Sequence, residues 1–169
     1  MAKVGYIFKA NHYDTFESDK EWMRQYGCVQ IVEEPVEHET LRPQWKQLIA
    51  TLGRGDEIVV SKFSNAMRGV RELVSFIEFC RIKVIRIISL HDKIDSRGDM
   101  FPETTAANVL EMFGAFPEET AALRKASAHV MRLQQNIRPP MKKMKAIPKD
   151  DRKNRESSIV DMYLSLIHI

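Results

Sequence analysis

Cysteine is scarce in this chain: two in 169 residues, Cys28 and Cys80. Both lie among apolar neighbours and neither has metal-ligand spacing, so they read as core thiols and not as a disulfide framework. Seven glycines and seven prolines are too few for a collagenous or linker-like protein. No apolar run reaches the ~20 residues that span a bilayer, and no charged start leads into a long apolar stretch. A cytoplasmic protein with no membrane partner is expected. The five histidines, His12, His38, His91, His129 and His168, are scattered, so no metal site is expected. The acidic run with Glu33, Glu34, Glu37, His38 and Glu39 reads as a solvated loop rather than a cation site. Nothing calls for a cofactor or a small-molecule substrate.

What remains is an ordinary globular composition, 44% hydrophobic and 29% charged, enough for one domain with a short appendage. The net charge of +3 conceals an asymmetry. Residues 138–169 hold eight Lys/Arg and four Asp/Glu, a net of +4, which leaves −1 for residues 1–137. A near-neutral body with a cationic tail points to a polyanion partner.

The chain is organised around Gly55–Arg68, GDEIVVSKFSNAMR. Gly55-Asp56 is a turn signal, and Ile58-Val59-Val60 is a β-branched run of the kind buried on both faces in a parallel sheet. Lys62, Ser64, Asn65 and Arg68 follow it, ahead of the helical pattern Val70-Leu73-Val74-Ile77. A polar loop thus leaves the carboxyl end of a buried strand, the edge where open α/β sheets hold ligands. Strands are expected at Val4–Phe8, Val29–Val32, Glu57–Val60 and Lys83–Leu90. Helices are expected at Phe16–Tyr26, Pro43–Leu52 and Gly69–Cys80. Glu33–Thr40 and His91–Met100 read as loops. This order gives an α/β fold: a mostly parallel sheet covered by helices on both faces, over residues 1–101.

Residues 102–137 read as one long helix of about 50 Å. Val109, Phe116, Leu123 and Val130 recur every seven residues, a seam that a small domain is expected to leave partly exposed as a homodimer surface. Residues 138–156 read as a basic linker arm with Lys142, Lys143, Lys145, Lys149, Arg152, Lys153 and Arg155. Residues 157–169 turn apolar again, like the start of a truncated helical domain.

These stretches converge. VGYIF at the start, TLRPQW before the second helix, GDEIVVSKFSNAMR, and HDKIDSRGDM ahead of the long helix resemble the serine site-specific recombinases, the resolvase/invertase family, in that order. Ser157–Leu164 resembles the opening of that family's helix-turn-helix. The resemblance implies a DNA partner and cleavage by a serine nucleophile through a phosphoserine link. It also shows where this chain departs. The family's Tyr-x-Arg-x-Ser pattern reads Tyr6-Ile7-Phe8-Lys9-Ala10 here, so Ala10 stands at the nucleophile position and Phe8 at an arginine. The Asp-Arg-x-x-Arg pattern reads Ser64-Asn65-Ala66-Met67-Arg68. Arg42 and Arg68 remain as candidate phosphate-binding positions, and the helix's Glu-Arg pair falls on Thr120-Ala121. Tyr6, Tyr13, Thr15, Ser61 and Ser64 carry hydroxyls near the site, Ser64 being the best placed. The expectation is a DNA-binding, recombination-associated protein without a catalytic residue. The alternatives are an active recombinase with a rearranged site and a dimerisation scaffold with no DNA role.

Overall fold

The computed structural model describes residues 1–10 and 15–137. Met1–Gln135 form one compact unit. In chain order the elements are β1 (Lys3–Lys9), α1 (Phe16–Tyr26), β2 (Gln30–Pro35), α2 (Pro43–Thr51), β3 (Glu57–Val60), α3 (Phe63–Ala66), α4 (Val70–Lys83), β4 (Arg86–Ser89), β5 (Ile94–Asp95) and α5 (Ala106–Ile137). The sheet order is β2-β1-β3-β4-β5. The first four strands are parallel and β5 is antiparallel to β4. The protein is therefore an α/β fold with a mostly parallel sheet.

Strand alternation sorts the core into two layers. Val4, Tyr6 and Phe8 of β1 and Ile58 and Val60 of β3 face Trp45, Leu48, Leu73 and Phe76 of α2 and α4. Ile7, Val59 and Ile88 face Met23 of α1. Gly5 lies under α1, where a Cβ would stand 2.5 Å from Met23 Sδ. The lack of a side chain there sets the closeness of helix to sheet.

Several boundaries differ from the sequence reading. The acidic segment 33–40 is not a solvated loop. β2 continues to Pro35 and a 3₁₀ turn spans Val36–His38. Glu34 is fully buried because α2 needs an acceptor: Arg42, its N-cap, makes no side-chain cap bond. Glu34 accepts the backbone N–H groups of Gln44 at 3.2 Å and Trp45 at 3.1 Å instead, placing a carboxylate at the positive end of the helix.

The fourth strand starts at Arg86 and not at Lys83, because Val84 and Ile85 close α4. Their N–H groups donate to Arg81 O and Cys80 O, a Schellman-type ending. Val84 adopts φ 57°, a left-handed conformation that costs a β-branched residue about 1–2 kcal/mol. The short β5, not anticipated, exists because Arg86 grips Asp95 through two bonds of 2.9 and 2.7 Å. Asp95 also accepts the N–H groups of Arg97, Asp99 and Met100. The Arg86 guanidinium, together with these bonds, holds its carboxyl well below the usual range.

α5 begins at Ala106, four residues after Pro102. Thr105 and Asn108 cap it reciprocally: Thr105 N–H donates to Asn108 Oδ1 at 2.9 Å and Asn108 N–H to Thr105 Oγ1 at 3.3 Å. The seam expected to stay exposed does not. Phe116 and Leu123 are 1% exposed and Val130 8%, packed in the same core layer as Trp45 and Phe76. Val109 is half-buried. The seven-residue period marks the face that covers this domain's own sheet, since that burial is available within one chain.

Candidate functional site

Three strand ends bring the predicted residues to one edge of the sheet. Phe8 and Ala10 close β1, α3 and the following turn carry Ser64, Asn65 and Arg68 after β3, and Arg42 precedes α2. All of the first four are buried: Phe8, Ala10 and Asn65 fully, Ser64 at 3% exposure. Asn65 spends its amide on the β1 backbone. Its Nδ2 donates to Phe8 O and its Oδ1 accepts Phe8 N–H, both at 2.9 Å. The Arg68 guanidinium lies 4.7 Å from the centre of the Phe8 ring, a cation–π contact at the place where the resemblance expects another arginine.

The two arginines are brought together by Glu72. Arg42 Nη2 pairs with Glu72 Oε1 at 2.5 Å, and Arg68 N–H donates to Glu72 Oε2 at 3.0 Å. Arg42 also donates to the carbonyl of Ala66. Arg68 Nε donates to Glu39 at 3.2 Å, and its Nη1 to the carbonyls of Ser64, Asn65 and Met67. Arg42 Nε and Arg68 Nη2 remain buried without a hydrogen-bond acceptor among the described residues. Burial, and after it repulsion from Arg42, pull the Arg68 guanidinium below the usual arginine range. Tyr6, fully buried edge-on to Trp45 at 4.7 Å, donates to Glu34 across 3.5 Å. Its hydroxyl is pushed far above the usual range by burial and then by the Glu34 charge.

On the other side of β3 lies a cleft of about 430 Å³ between the β4 loop and α5, lined among others by Lys62, His91, Asp92, Glu111 and Glu119. Lys62 pairs with Glu119 at 2.5 Å. Asp92 accepts Phe63 N–H at 2.9 Å and the Ser89 hydroxyl at 2.7 Å, and burial raises its pKa. His91 Nε2 sits 2.9 Å from Asp19 Oδ1. No group of histidine, cysteine and carboxylate side chains fit to hold a metal occurs among the described residues. Burial pushes the Cys80 thiol up to about 12 and Cys28 to about 11, so neither is a nucleophile at neutral pH.

Arg42, Arg68, Phe8, Ala10 and Asn65, singled out in the sequence, lie together here; Glu34 and Glu39, read there as part of a solvated loop, are buried or half-buried partners of this cluster, and Glu72 and the Asp19–His91 pair were not anticipated. Glu72 carried a signal, four residues after Arg68 at a helix start. The contacts of Glu34 with Tyr6 and of Asp19 with His91 carried none, because these partners are distant in sequence. The basic-arm residues Lys142, Lys143, Lys145, Lys149, Arg152, Lys153 and Arg155 lie outside the described residues.

A mostly parallel sheet covered by helices, with two arginines at its carboxyl edge and the long helix α5 packed in the core layer of α2 and α4, defines an α/β domain. The resolvase N-terminal domain matches residues 9–136. The chain belongs to the resolvase/invertase family of serine site-specific recombinases. It is 31% identical over 98 residues to a DNA-invertase of Enterobacteria phage P7, covering 57% of this chain and 53% of that protein. It is 29% identical over 98 residues to the serine recombinase Gin of Escherichia phage Mu, covering 57% and 51%. The chain spans about half the length of the curated relatives it matches. The crystal structure of a resolvase-family site-specific recombinase from Streptococcus pneumoniae aligns with a TM-score of 0.47 at 15% identity, over 79% of this chain and 99% of that one. No helix among the described residues is long and apolar enough to cross a membrane.

Proposed function

We propose that this chain is a DNA-binding member of its family that takes part in recombination without cutting DNA. Ala10 carries the reading. The position that the family resemblance gives to the nucleophile bears a fully buried methyl group, which has no lone pair to attack phosphorus. The substitution is not isolated. Phe8 fills the place of one guanidinium, and Asn65, in place of another, is consumed by the β1 backbone. Phosphoryl transfer depends on cations preorganised around the reacting phosphate, and two of them are gone together with the hydroxyl.

Two features support a retained DNA role. Arg42 Nε and Arg68 Nη2 are buried donors without an acceptor among the described residues, a capacity that a phosphate oxygen fits. The arm at 138–156 supplies eight further cations, Arg138 and the seven named above, for duplex phosphates. The protein works as a homodimer, and the surface for it is the outward side of α5. Leu110, 71% exposed, and Leu133, 48% exposed, lie on the helix surface left outside the seam, one on each flank, whereas the seam is spent on the core.

The test is covalent capture. Wild type and Ala10→Ser are incubated with supercoiled plasmid carrying the neighbouring native DNA, and denaturing gels are read for protein-linked DNA. No adduct is expected from either, because each missing charge-stabilising group costs ~10²–10³ in rate. An adduct from the wild-type chain refutes the proposal, and one mapped to Ser64 identifies a rebuilt site.

A further inference from the structure

Opposite its buried seam, α5 carries a row of charges. Glu111, Glu118, Lys125 and Arg132 follow one another at seven-residue intervals, each two residues after a seam position. Two residues turn a helix by about 200°, so the row points away from the core, and all four residues are exposed. Among the described residues none of the four has an ion-pair partner. The helix dipole does not account for the order of signs. It acts within the first and last turns, where α5 carries neither an acid nor a base. Nor do these charges serve one another along the helix. Seven residues separate them by about 10 Å, beyond the single turn at which helical ion pairs meet.

Reversed, the row is its own complement: Glu-Glu-Lys-Arg lies against Arg-Lys-Glu-Glu. With a second copy antiparallel, Glu111 meets Arg132 of that copy and Glu118 meets Lys125. Both pairs share one midpoint, between Ala121 and Ala122, so a single two-fold axis makes each of them twice. These two alanines are exposed, and their small side chains let the helices approach to about 8 Å. Gly114 is a separate observation. It is exposed in the interior of a helix, where glycine is less favourable than alanine, and a Cβ there would meet nothing within 4 Å. Nothing inside the domain asks for the missing side chain. In the antiparallel arrangement Gly114 stands across from His129 of the second copy, an exposed ring that takes up the room.

We infer that the outward row of α5 pairs with the same row of a second copy, antiparallel and centred on Ala121-Ala122, a register that rests on the homodimer proposed above and refines it. Charge decides the occupant. A DNA backbone lying along the row would meet Glu111 and Glu118, and a parallel copy would set Glu118 against Glu118 and Lys125 against Lys125, like charges that oppose binding. Exposed ion pairs are individually weak, so they choose the register and leave the dimer sensitive to salt.

The test is sedimentation equilibrium of the full-length chain at low salt. Wild type is compared with Glu118→Lys, Lys125→Glu and the double variant Glu118→Lys/Lys125→Glu. Either single reversal sets like charges together at both copies of the pair and should raise the dimer dissociation constant about tenfold. The double variant restores opposite charges between copies only, since the two positions do not meet on one helix, and should return to the wild-type constant. All three variants should keep the wild-type urea midpoint, as the sites are exposed. A dimer that the single reversals leave unmoved overturns the register and leaves the homodimer standing. A double variant as weak as the single ones does the same. A monomer throughout overturns both. Reversals that alter affinity for a duplex and not the dimer constant make DNA the occupant of the row, and the inference fails.

Discussion

Asn65 illustrates how a buried amide serves as a structural part. An amide offers one donor and one acceptor in a fixed plane, and both meet the backbone of Phe8 at 2.9 Å. Asn65→Ala leaves the buried Phe8 N–H without the Asn65 acceptor, at about 1–3 kcal/mol, and removes one of two donors to Phe8 O, which keeps the Ala10 N–H at 3.1 Å. The expected result is a markedly lower urea midpoint, while Asn65→Asp is expected to fare no better because it cannot donate to Phe8 O. His91 offers a test in pH. Its hydrogen bond to Asp19 raises its pKa above the ordinary value of 6.5, burial and Lys62 opposing and Asp92 assisting. The folded state therefore binds the proton more tightly than the unfolded chain. The stabilisation is fully present below about pH 6.5 and is lost as pH rises through the raised value. Unfolding measured from pH 5.5 to 9 should show this decline, and His91→Gln should flatten it. Because the imidazole is 39% exposed, solvent screens the pair and the slope will be modest.

At the scale of elements, α5 shows one pattern put to a different use. Its seven-residue seam is indistinguishable in sequence from a dimer stripe. In the fold, Phe116, Leu123 and Val130 complete the layer begun by α2 and α4. Leu123→Ala should then cost about 2–5 kcal/mol, read as a fall in thermal or urea stability. Leu133→Asp, on the exposed side, should change stability by about 0.5 kcal/mol or less and lower the dimer fraction in sedimentation. If Leu123→Ala left stability intact while dissociating a dimer, the intramolecular packing of α5 would be the wrong account. The short elements show the reverse case. β5 has no sequence signature, and it forms because Arg86 and Asp95 meet across nine residues.

For the whole molecule, charge separation is the governing feature. The body at 1–137 is close to neutral and the segment 138–169 carries net +4. Duplex binding through that segment releases counterions, so its affinity should fall steeply with salt. Lys142→Glu, Lys143→Glu and Lys145→Glu together should weaken binding to unrelated duplexes uniformly and make the logarithmic salt dependence shallower by about 0.9 per lost phosphate contact. An unaltered slope would move the DNA contact away from the arm.

The α/β order and the buried central strand were readable in the chain, because each follows from local periodicity and turn chemistry; the polar loop expected after that strand was not, since Phe63–Ala66 fold as the buried turn of helix α3. The identities at Phe8, Ala10, Ser64 and Asn65 were readable as well, and the structure gathers these residues at the carboxyl edge of the sheet. The fate of the seam on α5 was not readable. Burial against one's own sheet and burial against a second copy demand the same apolar spacing, and only the placement of α2, α4 and the sheet distinguishes them. Glu34 was misread as solvated for a related reason: a buried carboxylate is tolerable only where distant donors converge. The N–H groups of Gln44 and Trp45 and the hydroxyl of Tyr6 converge only after α2 has docked beside β2. The Arg42–Glu72 ion pair follows the same logic, because a pair spanning 30 residues is a product of packing and leaves no trace in spacing, unlike the contact of Glu72 with Arg68 four residues back.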